Sequence, residues 1–240
     1  MAEQELAYYK LPAGYVLVLE GDTPFPPLAH ALTEPNGLIA IGGNLNSSRL
    51  LSAYKQGIFP WCNYNPFSEG ESVLWWSPNP RMVLYPNALK ISNSLKKTLK
   101  KHPFETSINT AFQAVITECS QTPRNGLADT QSSTWISPEM IAAYCDLHTL
   151  GFAMSAETWL DGKLVGGCYG VKIGRMFYGE SMFHHVTDAS KVAFVHLVET
   201  LIHQNVGMLD CQMKTPLLTS FGGREFAGDV FAKQLKVFIP

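Results

Sequence analysis

Three polar residues lie in apolar segments where their side chains could share one chemical task. Glu180 interrupts the apolar run "MFYGESMFHH" at residues 176–185, and a carboxylate among large apolar side chains needs a partner. Asp210 and Gln212 lie in "MLDCQM", where i, i+2 spacing on a strand places both side chains on one face. If that strand runs beside the one ending at Glu180, the three groups meet where the strands separate. The spacing predicts a shared polar site, although a structural polar network would explain it equally well.

Other reactive residue types give weaker signals. His184, His185 and Asp188 suggest either a metal site or an H-H-x-x-x-D-G acyl-transfer motif, but the string "HHVTDA" is one residue short and lacks the Gly. A loop followed by a helix cap explains these residues better. Cys211 has no obvious base beside it, which favours a core position. The segment "IGGN" at 41–44 lacks the Lys-Ser/Thr of a phosphate loop.

Composition and cysteine spacing exclude several classes of protein. Apolar residues make up 46% of the 240 and charged residues 16%, which predicts a large core and little disorder. No apolar stretch approaches the ~18 residues of a membrane span, and the polar start does not read as a signal peptide. The odd, scattered cysteines indicate reduced thiols, a cytoplasmic location and no zinc site. These cysteines are Cys62, Cys119, Cys145, Cys168 and Cys211.

Positive charge is concentrated in one segment, although the net charge of the chain is −2. The string "SNSLKKTLKKH" at 92–102 predicts a helix with Leu95 and Leu99 on its apolar face. Its charged face is either simply solvated or a phosphate-binding patch, and the pattern alone favours the solvated face. The lysines of this face are Lys96, Lys97, Lys100 and Lys101.

The elements that would position these groups indicate an α+β fold. A helix after residue 138, three strands with a "DG" turn at 161–162, a second helix and a last strand follow in that order. Antiparallel strands followed by a crossover helix into a parallel strand are typical of an acetyltransferase-like (GNAT) core with a mixed, mainly antiparallel sheet. We expect a small N-terminal domain at 1–72 and the acetyltransferase-like domain at 73–240, divided at the loop "NYNPFSEGES".

Strings along nearly the whole chain resemble one family, the leucyl/phenylalanyl-tRNA–protein transferases. The resemblance implies transfer of Leu or Phe, and less well Met, from aminoacyl-tRNA to the α-amino group of proteins that begin with Arg or Lys, marking them for N-end-rule degradation. It implies no metal and no cofactor, because the aminoacyl ester is already activated, and we expect a monomer. The strings are "EPNGLIAIGGNL" (34–45), "AYKQGIFPW" (53–61), "LWWSPNPRMVLYP" (74–86), "TWIS" (134–137), "LVGGCYGVKIGRMFYGESMF" (164–183) and "LDCQ" (209–212).

The same resemblance assigns roles to individual residues. Asp210 and Gln212 would orient the attacking amine and assist proton transfer, and Glu180 would help to hold the aminoacyl-adenosine end. With an RNA partner, the four lysines of 92–102 become expected phosphate contacts near the acceptor stem. The resemblance places the adenosine and aminoacyl end near Trp61, Trp135 and Tyr54. It places the pocket for the aminoacyl side chain at Cys168, Phe177, Met182, Phe194, Leu197 and Leu201.

Some positions depart from the family pattern. Asn44 stands where Asp is usual, Met154 where His is common, and Leu217 where His is usual, so the preference for the acceptor is less well defined than the donor chemistry. Cys168 replaces a more usual Met, which could favour larger donor side chains. One alternative function is a CoA-dependent N-acetyltransferase, which the glycine-free segment "HHVTDAS" disfavours. Another is a non-catalytic tRNA-binding protein, which the retained polar trio disfavours.

Overall fold

A five-stranded sheet built from the N-terminal part of the chain forms the smaller layer. The computed structural model describes residues 6–61, 73–101, 103–122 and 136–239. The strand order is β1-β2-β3-β5-β4, with β2 and β3 parallel and the other pairs antiparallel. The strands are β1 (Tyr8–Leu11), β2 (Gly14–Leu19), β3 (Leu38–Gly42), β4 (Phe59–Pro60) and β5 (Leu74–Trp76).

A seven-stranded mixed sheet forms the larger layer, in the order β12-β6-β11-β10-β9-β8-β7. Strands β8, β9 and β10 are antiparallel neighbours, whereas β10 and β11 are parallel. The strand order predicted from the sequence is therefore confirmed. The strands are β6 (Arg81–Leu84), β7 (Glu105–Ile108), β8 (Ala153–Leu160), β9 (Lys163–Ile173), β10 (Met176–His184), β11 (Met208–Gln212) and β12 (Arg224–Phe226).

Helices cover both faces of the larger sheet, so its strands alternate between two cores. On β10, Phe177 packs in a cluster with the crossover helix α5, whereas Tyr178 packs in the cluster that contains residues of α1, α3 and α4. This alternation follows from the two-residue period of a strand. The helices are α1 (Ser47–Lys55), α2 (Asn93–Lys101), α3 (Phe112–Gln121), α4 (Pro138–Thr149), α5 (Ala189–His203), α6 (Pro216–Ser220) and α7 (Gly228–Phe238).

The chain passes from the small sheet to the large one between Trp76 and Arg81. The sequence "VLWWSPNPRMVLYP" predicts a strand–turn–strand unit, and its two strands do form. They do not pair with each other, because β5 joins β3 and β4 while β6 joins β11 and β12. The division of the chain at residues 72 and 73 stays a prediction.

The lysine-rich helix forms as α2, with Leu95 buried and its lysines directed toward solvent. No helix in the described part of the chain combines the length and the hydropathy that a bilayer span requires.

Candidate active site

Two β-bulges open the large sheet where the polar residues lie. Strands β10 and β11 pair in parallel only from Met176 to Tyr178, whose partner is Asp210. Beyond this point β10 is irregular in its pairing with β9 between Gly179 and Ser181, and β11 is irregular in its pairing with β6 between Asp210 and Gln212. A bulge changes the direction of a side chain and ends regular pairing. The intervening residue Glu180 is thereby turned toward the gap between the strands.

The Glu180 carboxylate accepts hydrogen bonds from three neutral groups. The Tyr54 hydroxyl donates to Oε1 at 2.8 Å, and the Tyr144 hydroxyl donates to Oε2 at 3.1 Å. Gln212 Nε2 donates to Oε1 at 3.3 Å. The two tyrosines come from α1 and α4, are fully buried, and their hydroxyls also contact each other. This contact between Glu180 and Gln212 is the one that the sequence pattern anticipated.

The position of Glu180 changes its protonation equilibrium. Burial raises the pKa of the carboxyl from 4.5 to about 7, because desolvation outweighs the stabilising hydrogen bonds from Tyr54 and Tyr144. Burial also raises the pKa of both tyrosine hydroxyls well above 10.0. The tyrosines therefore remain hydrogen-bond donors at neutral pH, whereas Glu180 can hold or release a proton there.

Asp210 lies directly behind this contact and has a different partner. Its carboxylate forms a bidentate ion pair with Arg81, with Nε to Oδ1 at 2.7 Å and Nη2 to Oδ2 at 2.6 Å. Both side chains are 0% exposed. Asp210 Oδ1 also accepts the backbone N–H of Gln212 at 3.0 Å. Asp210 is thus linked to Glu180 through Gln212, and its own side chain does not face the gap between the strands.

A cavity of about 390 Å³ opens beside Glu180 and Gln212, both of which line it. Its walls come from β9, β10, β11, α5 and α6, and most of the lining is apolar. Trp61 and Phe59, from the N-terminal segment, close another side. The residues of the predicted aminoacyl pocket that line this cavity are Cys168, Phe177, Met182, Phe194 and Leu197.

Several predicted site residues lie elsewhere. Leu201 is 0% exposed and belongs to the core around α5, but it does not line the cavity. Because a helix rises 1.5 Å with each residue, Leu201 is displaced along the axis from Phe194 and Leu197 even though all three share a face. Tyr54 does not line the cavity and reaches the site only through Glu180. Trp135 lies outside the described residues.

Sequence reasoning missed Arg81, Tyr144 and the contribution of α6. Arg81 stands in an otherwise apolar strand, and a buried charge needs a carboxylate partner. That requirement could have revealed Arg81 in the sequence. Tyr144 sits among the apolar positions of α4, where a core role explains it equally well. Leu217 and Leu218 of α6 line the cavity. Leu217, which stands where the family usually has His, therefore borders the site.

The residues that gave weaker signals form ion pairs and hydrogen bonds away from the cavity, or lie in the core. His185 pairs with Glu118 at 2.9 Å, and the Asp188 carboxylate accepts hydrogen bonds from Lys191 and Thr98. Within the described residues, no group of three or more His, Cys, Asp or Glu is arranged to hold a metal ion. Cys211 is buried in the core around α5 and also borders the cavity, and desolvation raises the pKa of its thiol, which disfavours the thiolate.

Comparisons with known proteins agree with the resemblance. The family model "Leucyl/phenylalanyl-tRNA protein transferase" matches residues 83–236, and the model of its N-terminal domain matches residues 43–79. A leucyl/phenylalanyl-tRNA–protein transferase of Nitrosomonas eutropha is 56% identical over 92% of this chain and 90% of the relative. That of Chromobacterium violaceum is 56% identical over 88% of this chain and 87% of the relative.

Solved structures match this chain at much lower similarity. A GCN5-related N-acetyltransferase from Kribbella flavida has 8% identity and a TM-score of 0.40, covering 74% of this chain and 60% of that one. The L-PGS structure from Bacillus licheniformis has 11% identity and a TM-score of 0.43, covering 96% and 76%. On the family model and the close relatives, this chain belongs to the leucyl/phenylalanyl-tRNA–protein transferase family.

Proposed function

We propose that this protein transfers Leu or Phe, and less well Met, from aminoacyl-tRNA to the α-amino group of proteins that begin with Arg or Lys. Family membership supports aminoacyl transfer from a tRNA to a protein. The carrying observation in the structure is the apolar cavity whose border holds the hydrogen-bonded pair Glu180 and Gln212. The preference for Arg or Lys acceptors comes from the resemblance, the cytoplasmic location from the scattered cysteines, and a monomer is our expectation.

The geometry suits attack of an amine on an ester that is already activated. Gln212 donates its Nε2 to Glu180, which leaves its amide oxygen available to accept a hydrogen bond from the incoming amine. Glu180 would contact the aminoacyl-adenosine end and, with a pKa of about 7, can exchange a proton near neutral pH. Both oxygens of Asp210 are engaged, by Arg81 and by the Gln212 N–H, and Asp210 does not line the cavity, so it would act through Gln212. Holding both reactants in line supplies the main acceleration.

The cavity favours an apolar donor side chain that is unbranched at Cβ. A β-branched Ile or Val would fit poorly between Phe177 of β10 and Leu197 of α5, and a charged donor would lose its hydration without a partner. Trp61 at the cavity border offers a flat face on which an adenine base can stack.

A direct assay tests this proposal. Labelled Leu-tRNA or Phe-tRNA is incubated with the protein and a peptide that begins with Arg, and label is expected on the peptide. Val-tRNA as donor and the same peptide with an acetylated N-terminus serve as matched controls and should give little transfer. Absence of transfer, together with acetylation of an amine from acetyl-CoA, would overturn the proposal.

An acetyl-CoA-dependent function has a physical obstacle at the start of α5. A CoA pyrophosphate would bind there through backbone N–H groups. Asp188 occupies this position, and its ionised carboxylate is paired with Lys191 at 2.8 Å, so the nearby cation is already engaged by an acid of the chain. No glycine lies between Phe183 and Ala189 to let a diphosphate approach the backbone.

The lysines of α2 are proposed to bind tRNA phosphates. Their charged ends lie at the surface, and α2 is held near the start of α5 by the Thr98–Asp188 hydrogen bond of 3.1 Å. Changing the four together to Gln should weaken tRNA binding and flatten its salt dependence, by roughly 0.7–0.9 in slope for each phosphate that is no longer neutralised. Lys233 and Lys236 on α7 provide the control pair. An equal change of slope per lysine in both variants would make α2 an ordinary solvated helix.

Donor selectivity can be tested at Cys168. Met is larger than Cys, so the Cys168→Met replacement narrows the cavity. The value of kcat/KM should fall more for Phe-tRNA than for Leu-tRNA, and the Phe-to-Leu ratio of kcat/KM should drop by about five- to tenfold. Cys145 is half-buried on α4 and does not line the cavity, so Cys145→Met is the control. An unchanged ratio in Cys168→Met would place the donor side chain elsewhere.

A further inference from the structure

Arg81 is the buried charge for which the proposed reaction has no direct use. Its guanidinium lies between two aromatic rings, 4.8 Å from the centroid of Phe59 and 4.8 Å from that of Phe231. Phe59 belongs to β4 in the small sheet, whereas Phe231 belongs to the C-terminal helix α7. Gly57, which follows α1 with a positive φ of 77°, leaves the space in which the Phe231 ring approaches. Arg81 is therefore held by three separate parts of the chain, namely β4, α7 and the strand β11 that carries Asp210.

This arrangement is a poor device for stability. Removing two charges from water costs more than a buried ion pair commonly returns, and apolar replacements of similar volume are often as stable. Arg81 Nη1 is also buried without a hydrogen-bond partner among the described residues. An unpaired buried N–H is unfavourable in itself. The arrangement does, however, fix the direction of one carboxylate, because a bidentate pair determines both position and plane.

The fixed carboxylate determines the conformation of Gln212. Asp210 Oδ1 accepts the Gln212 backbone N–H, and Gln212 has a φ of +57°, which is uncommon for a residue other than Gly. In this left-handed conformation the side chain of Gln212 reaches Glu180. A continuous series of contacts thus runs from Arg81 through Asp210 and Gln212 to Glu180.

We propose that Arg81 is a positioning residue for the transfer step, which rests on the function proposed above. Acting through Asp210, it holds Gln212 in the left-handed conformation with its amide on Glu180, so that the amide oxygen faces the acceptor amine. Its charge also offsets that of Asp210 at Glu180. Phe59 extends this support to the cavity, since the ring that covers Arg81 also lines the space for the aminoacyl group.

The test compares Arg81→Met, Arg81→Lys and the double variant Arg81→Met/Asp210→Asn with the wild type. Steady-state and single-turnover transfer from Leu-tRNA give kcat and KM, and urea unfolding gives stability. Arg81→Met should lower kcat on the order of 10²-fold with KM for Leu-tRNA within about threefold, because misplacing a catalytic group affects the chemical step. The double variant removes both charges and should recover stability without recovering kcat, since nothing then orients the side chain at position 210. Arg81→Lys keeps the charge without the bidentate geometry and should give an intermediate kcat.

The pH profile separates positioning from simple support of the fold. Loss of the Arg81 charge should move the ionisation of Glu180 to higher pH in Arg81→Met, followed by kcat/KM and by ¹³C NMR of the glutamate carboxyl. Asp210 and Arg81 are the charged groups that act on Glu180, and Tyr54 and Tyr144 are its titratable neighbours. Arg49→Met is the matched control, because Arg49 is also buried, lies over the Phe25 ring and binds backbone carbonyls away from the site. It should lower stability and leave the pH profile in place.

The outcomes are distinct. If wild-type protein transfers Leu while folded Arg81→Met keeps kcat within about twofold and an unchanged pH profile, Arg81 is merely structural and the inference falls. The same conclusion follows if the double variant regains kcat together with stability. Absence of transfer by the wild type would overturn the proposed function, and this inference with it.

Discussion

Two carboxylates at the bulges of β10 and β11 lie close together but in opposite environments. Asp210 is paired with a buried cation, whereas Glu180 is surrounded by two tyrosine hydroxyls and an amide. A cation keeps a buried carboxylate charged, while neutral donors only partly offset the loss of water. The comparison indicates that Asp210 serves as a fixed anion that orients its surroundings, and that Glu180 is the group whose charge can change near neutral pH.

The largest expected effect follows from removing the fixed anion. Asp210→Ala leaves Arg81 as a buried charge without a partner, which should lower the free energy of unfolding by about 3–5 kcal/mol. Urea unfolding measures this loss. At a temperature where the variant is folded, transfer should be lost while tRNA binding is retained. Equal loss of tRNA binding would show that Asp210 has a different role.

Glu225→Ala is a suitable control for this experiment. Glu225 forms an ion pair with Lys214 at the surface, where the two side chains are 34% and 58% exposed. Loss of such a pair should change stability by less than about 1 kcal/mol. If the two variants were equally stable, the ion pair of Asp210 with Arg81 would not differ energetically from a surface pair, and the contrast between the two carboxylates would disappear.

The second prediction concerns the carboxylate without a cation. The pKa of Glu180 is about 7 in the folded protein and 4.5 as the ordinary value, so the native state binds the proton more tightly. The stabilisation that comes from this tighter binding of the proton is therefore complete below about pH 4.5 and is lost as the pH rises through about 7. The loss amounts to roughly 1–3 kcal/mol. Glu180→Gln cannot titrate, so the difference in unfolding free energy between the two proteins should change over this range. A difference independent of pH would mean that the carboxyl of Glu180 keeps its ordinary pKa in the folded protein.

The order of elements could be predicted because its signals are local. The turn at 161–162, the apolar face of α5 and the lysine face of α2 each depend on residues that are close in the sequence. The contact of Glu180 with Gln212 could be predicted for a related reason, since parallel strands joined by a crossover helix bring their ends together. The family resemblance, in turn, groups Cys168, Phe177 and Leu197, and all three line one cavity.

The ion pair behind the site could not be predicted in this way. Arg81 and Asp210 are 129 residues apart, and only the antiparallel pairing of β6 with β11 brings them together. The two bulges have no distinctive local pattern, so regular i, i+2 alternation placed Asp210 at the gap when its side chain in fact lies behind Gln212. Tyr54 and Tyr144 also meet across 90 residues, which conceals their shared partner in the sequence.

The smallest expected effect distinguishes the neutral donors around Glu180. The hydrogen bonds from Tyr54 and Tyr144 stabilise the ionised carboxylate, and that from Tyr54 has the larger influence on its pKa. Tyr54→Phe should therefore raise the pKa of Glu180 above about 7, by about one pH unit, and Tyr144→Phe should raise it by less. The pH dependence of kcat/KM for Leu transfer measures both shifts. Tyr178→Phe is the control, because the Tyr178 hydroxyl donates to the backbone oxygen of Tyr54 and not to Glu180. If the Tyr178 variant moved the profile as far as the Tyr54 variant, the shift would reflect looser packing of α1 against the sheet, and the hydroxyls would not be what distinguishes the surroundings of Glu180 from those of Asp210.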